Sequence, residues 1–347
     1  MDGIRFVEPT VSLVDEHDLV RKVELAYRIC YKSEDKISNN SKILVQRLTS
    51  NRHADRHTSP LEHAWIQITP NHSAYSDFSW MCKHNPYIAV KDGHLIGNLR
   101  AFHDFIIQRS TQEGNGWVAN FRPVHKLLRS LHHTFPEVFP KAADAASDSK
   151  SSYWKIEEYK EYATFHIVTS RDILQELVRH RTMSFSVEST RYCNYGNKGY
   201  AFVIPRPYEW TNNVEWNKTD SLSYWTKENL DAPTLVMIKD DLGNSVGCKY
   251  RTVSSLEAIN NECLMVDLFF SNCYLSAARY DRALQLGIKP QEARMLLPGA
   301  LKTELFMTGT KNDWEKFLLL RNSSVAHPMI RYLAEKIDKL LNNEAAQ

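Results

Sequence analysis

YATFHIVTS (Tyr162–Ser170) reads as one long strand, and DILQELVRHR follows with only Arg171 between them, so the two must be neighbours in the fold. Thr169 with Asp172 makes a capping-box start for that helix. Ile173, Leu174, Leu177 and Val178 give it one buried stripe, Gln175, Glu176 and Arg179 lie on the alternate face, and His180 and Arg181 close its end. A strand thus runs into a helix whose end is basic.

Other elements follow from spacing. PYIAVKDGHLIG (Pro86–Gly97) carries an Asp-Gly turn between apolar residues, and NLRAFHDFIIQ has Leu99, Phe102, Phe105 and Ile106 at helical intervals. PVHKLLRSLHH reads as a helix with Pro123 at its start. The polar, alanine-rich patch Lys141–Ser152 reads as an exposed loop, and the segment with Trp210, Trp216 and Trp225 as irregular. A long helix is expected from about Val253 to Leu286, stopping at Gly287, and a helical pair, WEKFLLLRN and HPMIRYLAEKIDKLL, closes the chain.

With 347 residues and 43% hydrophobic content the chain can bury a substantial core. Its 43 Lys and Arg nearly balance 41 Asp and Glu, so there is no chain-wide basic field of the kind that general nucleic-acid binders carry. No signal-like N-terminus and no membrane-length apolar run occurs, and a soluble, cytoplasmic protein is expected. The six cysteines (Cys30, Cys82, Cys193, Cys248, Cys263, Cys273) are scattered without a CxxC pair and read as reduced thiols. Histidines cluster in NRHADRHTSPLEH, but no acidic third ligand accompanies them and no metal site is expected.

Charge is uneven locally. Between Arg171 and Arg206 five Arg and one Lys face only Asp172, Glu176 and Glu188. Arginine binds phosphate oxygens through planar, bidentate contacts, and serine hydroxyls with free amides complete such a cradle where a helix gives way to a loop, so a phosphorylated ligand is indicated. The plainer alternative is that Arg179 and Arg181 favour a helix C-terminus and the serines occupy a turn. Arg294 in IKPQEARMLLP and Arg321 and Arg331 in FLLLRNSSVAHPMIR are further arginines on apolar backgrounds, either paired structurally or aimed at a ligand.

As a group these residues resemble the flavin-dependent thymidylate synthases. RHR, seven residues, then Ser189 followed by TRY matches that family's signature, while SPLEHAWIQI (Ser59–Ile68), QEARMLLP and FLLLRNSSVAHPMIR resemble three further landmarks in the same order. The resemblance implies an α+β fold, a mixed sheet with long helices, in a single catalytic domain spanning residues 1–347. It implies reductive methylation of dUMP to dTMP, with methylenetetrahydrofolate as carbon donor, FAD as redox cofactor, NADPH as electron source and no cysteine nucleophile. A homotetramer is implied as well, with dUMP and folate as small-molecule partners and neither nucleic acid nor membrane.

Carried over residue by residue, the resemblance places His63, Arg179, His180, Arg181 and Arg321 at FAD. It places Glu176, Arg179, Glu188, Ser189, Arg191, Arg294 and Arg331 at dUMP, with Arg331 as the catalytic cation that polarises the pyrimidine. Ser189 is then a ligand and not a nucleophile. His63 has the competing reading of a satisfied histidine at a strand end, and Arg321 that of a buried helix-helix ion pair. Val187 and Glu188 depart from the family pattern, which has an acid or amide two positions before the serine, and AHPMIR departs at His327 and Met329. Asn71–Glu161 is read as an insertion into the family core and Pro207–Ser255 as a second one. The competing functional readings are a catalytically silent nucleotide- or RNA-binding protein and a flavoprotein of the same fold acting on another pyrimidine nucleotide.

Overall fold

The structure, a computed structural model, describes residues 4–37, 40–49, 57–70, 87–111, 122–139, 154–212 and 261–344, the strands at 235–239 and 245–249, and a few positions between 75 and 85. Its strands are β1 (Ile4–Val7), β2 (Thr10–Leu13), β3 (Trp65–Thr69), β4 (Ile88–Lys91), β5 (His94–Asn98), β6 (Lys155–Glu158), β7 (Tyr162–Ser170), β8 (Ser184–Val187), β9 (Tyr200–Val203), β10 (Leu235–Lys239), β11 (Ser245–Lys249) and β12 (Lys302–Thr310). The helices are α1 (Leu19–Tyr31), α2 (Ser41–Thr49), α3 (Leu99–Thr111), α4 (Arg122–Thr134), α5 (Arg171–Leu177), α6 (Tyr195–Lys198), α7 (Asn261–Gln285), α8 (Pro290–Ala293), α9 (Lys311–Arg321) and α10 (Pro328–Glu344).

The expected strand is present with its expected bounds, and it lies inside an antiparallel sheet ordered β2-β7-β12-β8. β7 and β12 pair along their full length, from Tyr162 opposite Thr310 to Ser170 opposite Lys302. The two-residue period of the pleat then separates two faces. Phe165, Ile167, Leu305 and Met307 pack with Ile173, Leu174 and Leu177 of α5, Trp314 and Phe317 of α9, and Ile330, Leu333 and Ile337 of α10. On the opposite face Phe306 packs on Ala26 and Ile29 of α1.

Both central strands feed helices. Thr310 at the end of β12 caps α9 through a complete capping box with Asp313. For α5 the expected cap is displaced by one residue: Ser170 is the N-cap, its hydroxyl donating to Asp172, while Thr169 is fully buried and caps nothing. Asp172 Oδ1 accepts from the Ile173 amide at 2.8 Å, which leaves it turned toward its own helix start. α5 also ends earlier than expected, at Leu177, so Arg179, His180 and Arg181 lie in the turn beyond it.

A second antiparallel sheet, ordered β4-β5-β3-β6, draws three of its four strands from the segment read as an insertion. The Asp-Gly turn sits where expected, with Asp92 (φ 50°) and Gly93 (φ 83°) in the left-handed region that a two-residue hairpin needs. One apolar core joins this sheet to Leu19, Val20 and Val23 of α1, Val45 of α2, Leu99, Phe102, Phe105 and Ile106 of α3, and Leu127 and Leu131 of α4. α1 therefore touches both sheets, its first turns on one and its last on the other. The segment is integrated through a shared core and is not an appended loop.

β1 and β9 pair in parallel and support α7, with Phe6 and Phe202 packed against Phe270, Tyr274 and Tyr280. The expected long helix appears as α7 and stops at Gly287 (φ 83°), where the Ile288 amide reaches back to Ala283 O. The expected start near Val253, the Lys141–Ser152 loop, Trp216, Trp225, Arg52, His53 and Arg56 lie outside the described residues; Trp210 falls in a short 3-10 turn. Cys30, Cys82, Cys193 and Cys273 are free thiols. Among the described residues no helix is long and apolar enough to cross a membrane, and no His, Cys, Asp or Glu cluster has the makings of a metal site.

Trp314 is 1% exposed, stands edge-on to Phe165 and Phe317, and donates its indole N–H to Ala163 O at 3.1 Å. Truncating it opens a cavity at the junction of sheet and helix. Trp314→Ala is expected to lose about 3 to 5 kcal/mol in urea denaturation, and Trp314→Phe, which keeps a ring and loses the hydrogen bond, a smaller amount.

Candidate functional site

Three groups of arginines surround the β7-α5-β8 segment. The first is built at the end of α5. The last carbonyls of a helix lack intrahelical donors, and Arg321, from the end of α9, supplies one: its Nη2 donates to Glu176 O at 3.0 Å while Nη1 pairs with Glu176 Oε2 at 2.9 Å. Arg321 Nε donates to His180 Nε2 at 2.9 Å, which fixes the tautomer with the proton on Nδ1. Burial, followed by the adjacent Arg321 charge, holds the His180 pKa below its ordinary value. Phe317 stands edge-on to the imidazole at 4.8 Å.

Arg321 is thus mostly buried and cross-links α5 to α9, which agrees with its competing reading as a helix-helix ion pair. Arg179 and Arg181 remain exposed, Arg179 holding only a 3.4 Å contact with Glu176. The outcome is a fixed turn presenting two exposed guanidinium groups, that of Arg179 paired with Glu176.

The second group forms where β8 ends. The Ser189 amide donates to Cys30 O at 2.9 Å, and its carbonyl accepts from the Cys193 amide. Its hydroxyl accepts from the Arg191 amide at 3.2 Å. Among the described residues no base touches that hydroxyl, so none of them prepares it as a nucleophile. Arg294, in the 3-10 turn after α8, reaches 104 residues back to donate to Thr190 Oγ1 at 3.2 Å. Asp172 N to Gly299 O and Arg171 N to Leu301 O tie the segment between Arg294 and β12 to the start of α5. Ser189, Thr190, Arg191 and Arg294 therefore form one cationic, hydroxyl-bearing loop cluster, its two arginines exposed and its two hydroxyl residues half-buried. Thr190 was not singled out from sequence, since its hydroxyl is distinguished only by the distant arginine.

Arg331 makes up the third. Among the described residues its guanidinium has weak local contacts, Ser324 O at 3.4 Å and Glu335 at 3.8 Å, and joins neither of the other groups. Such a cation is free to turn toward a ligand.

Two residues expected at ligands have their partners inside the protein. His63 is fully buried, its Nδ1 at 2.7 Å from Thr308 Oγ1 and its Nε2 at 2.9 Å from Ser186 Oγ, so both ring nitrogens bridge β12 and β8, in line with its competing reading as a satisfied histidine. Its imidazole is kept neutral, with a pKa lowered to about 3 by burial and then by the Lys22 charge. Glu188 was expected at dUMP, yet it is 1% exposed and points inward, accepting from Tyr195 Oη at 2.9 Å and pairing with Lys302 at 3.2 Å. β8 pairing places Ser186 and Glu188 on the face toward α1, away from solvent.

The family model described as thymidylate synthase complementing protein matches residues 160–345, more than half of the chain, and the chain belongs to that family. It is 25% identical over 175 residues to a probable flavin-dependent thymidylate synthase of Paramecium bursaria Chlorella virus 1, covering 50% of this chain and 63% of the relative. It is 24% identical over 180 residues to the flavin-dependent thymidylate synthase of Kosmotoga olearia, covering 52% and 62%. The match thus spans less than two thirds of either relative. Among solved structures it is similar to a UMP/dUMP methylase, PolB, from Streptomyces cacaoi bound with 5-Br dUMP, at 18% identity and TM-score 0.37 over 98% of this chain and 92% of that one. At that level of superposition the likeness adds nothing to the assignment.

Because His63 stays neutral in the fold until about pH 3 and titrates near 6.5 when unfolded, the unfolded state alone takes up a proton between those values. The stability His63 contributes is present above about pH 6.5 and is lost toward pH 3, with a slope of up to about 1.4 kcal/mol per pH unit. Denaturation from pH 7 to pH 4 should therefore show His63→Gln losing less stability with acid than the wild type. Parallel curves would contradict the buried neutral bridge.

Proposed function

We propose that the chain catalyses reductive methylation of dUMP to dTMP, using methylenetetrahydrofolate as carbon donor and NADPH as electron source, with FAD as its redox cofactor. The observation that carries this reading is the meeting of Arg294 with the Ser189–Arg191 loop within the family match. Two guanidinium groups and two hydroxyls make a donor set suited to a phosphate monoester. Ser189 then binds and does not attack, and the buried, free cysteines Cys30 and Cys193, whose thiols burial pushes up, supply no thiolate nucleophile either.

The residues at the end of α5 fit an FAD diphosphate: Arg179 and Arg181 offer exposed charge, and Arg321 with Glu176 holds the turn that presents them. FAD, when bound, supplies the hydride chemistry. Arg331 supplies a guanidinium for the pyrimidine N3–O2 edge, stabilising the negative charge that develops on the ring during reduction. Its weak contacts leave that movement cheap. Assembly as a homotetramer in the cytoplasm, a single domain over residues 1–347 and an added character for residues 71–161 and 207–255 belong to the same reading.

Purified protein should be yellow, bleach with NADPH and release tritium from C5-labelled dUMP only when methylenetetrahydrofolate is present. A colourless protein that binds dUMP would favour the silent nucleotide-binding reading instead, and flavin reduction without tritium release a different pyrimidine substrate. Arg331→Ala should retain FAD and lose most turnover, on the order of a hundredfold for a lost charge-stabilising donor. Ser189→Ala should weaken dUMP binding without abolishing the reaction; complete loss with intact binding would restore the nucleophile.

A further inference from the structure

Glu188 directly precedes the anion-binding loop, and its backbone and side chain are both held. The Glu188 amide donates to Glu304 O at 2.8 Å and its carbonyl accepts from Arg171 Nη2 at 2.6 Å. The carboxylate accepts from Tyr195 Oη at 2.9 Å and lies 3.2 Å from Lys302 Nζ and 3.8 Å from Lys32 Nζ. Lys302 also pairs with Glu304, whose other oxygen meets His166 Nε2 at 3.1 Å. The partners come from five places in the chain: the end of α1, the start of α5, β7, α6 and β12.

Each of these partners is itself fixed. Lys32 is the left-handed C-cap of α1 (φ 49°), and its Nζ sits 5.3 Å above the Tyr195 ring. Lys302 is buried, yet the two carboxylates outweigh burial and raise its pKa. Glu304 is held down to about 2, first by its bond to His166 and, against burial, by Lys302. A buried network of this kind stabilises a fold no better than well-packed apolar residues of the same volume, whereas removing one member leaves a charge uncompensated. What it provides is a fixed position for residue 188, and so for the residue after it.

We propose that Glu188 is a positioning residue for nucleotide binding: clamped by Lys302, Lys32 and Tyr195, it sets the backbone from which Ser189, Thr190 and Arg191 meet Arg294 around the phosphate. The inference rests on reading that loop as the dUMP phosphate site. Glu188 touches no ligand and acts through the loop. The sequence position where this chain departs from its family thus acquires a role from inside the fold.

The test uses the full-length, FAD-loaded protein with dUMP as probe. Glu188→Gln is expected to weaken dUMP binding about tenfold, as for loss of a charged hydrogen bond, and to raise the KM for dUMP with kcat within about twofold. FAD affinity should not change, because Arg179, Arg181 and Arg321 lie outside the clamp. Lys302→Met should have a similar effect, and the double variant should be no worse than either single one, since both act through one contact. Tyr195→Phe, which removes a single hydroxyl, provides the milder variant if Glu188→Gln does not fold, and should weaken dUMP by about threefold.

Unaltered dUMP affinity in Glu188→Gln, or in Tyr195→Phe should that be the variant that folds, would overturn the proposal. Losses that multiply in the double variant, or a fall in kcat with KM unmoved, would do the same. Wild-type protein that fails to bind dUMP would overturn the functional reading beneath it, an outcome distinct from any variant effect.

Discussion

The ladder between β7 and β12 determines where the other parts of the site fall. Nine residues on each strand pair antiparallel, and each strand runs at its end into a helix, Ser170 into α5 and Thr310 into α9. Since the strands are antiparallel, the two helices start at opposite ends and fold back toward each other on one face. Arg321, Glu176 and His180 meet because of that geometry. A slip of one residue in the ladder would exchange Phe165, Ile167, Leu305 and Met307 for Thr164, His166, Phe306 and Thr308 and bury the wrong set against α9 and α10.

The polar face of the same ladder is an organised interior. His63 spans from Thr308 to Ser186, and Thr164 shares the Thr308 hydroxyl at 2.7 Å, so a chain of hydroxyls and one neutral imidazole joins β7, β12 and β8 beneath α1. Farther along the face the groups become ionic, with His166, Glu304, Lys302 and Glu188 in sequence. Positive charge follows the same division. Arg321 and Lys302 are committed inside, while Arg179, Arg181, Arg191 and Arg294 remain outside. A chain with a formal net charge of only +2 can thus present concentrated cationic sites without a general basic field.

Local pattern carried much of this. The strand Tyr162–Ser170 and the Asp92-Gly93 hairpin were legible because alternation and turn chemistry act over a few residues. The cap of α5 was read one residue too early because Thr169 and Ser170 are equivalent by type, and only burial separates them. His63 was placed at a ligand for want of a local sign that its partners stand 245 and 123 residues away. Glu188 gave no local sign of its partners either: Lys32 and Lys302 close around it from opposite ends of the chain. Residues 71–161 stood out in the sequence by length alone; that their strands complete a sheet with β3 is a pairing that no periodicity reveals.

The central claim is that the Ser189–Arg191 loop and Arg294 form the phosphate end of a nucleotide site, with the turn at Arg179–Arg181 serving a separate ligand. A crystal or cryo-EM structure of the protein with FAD and dUMP tests it directly. The account predicts the dUMP phosphate within hydrogen-bond reach of Ser189 Oγ and the Arg191 and Arg294 guanidinium groups, Arg294 having turned from Thr190 to meet it, and the FAD diphosphate at Arg179 and Arg181. A dUMP phosphate bound elsewhere, with Arg294 still on Thr190, would contradict it.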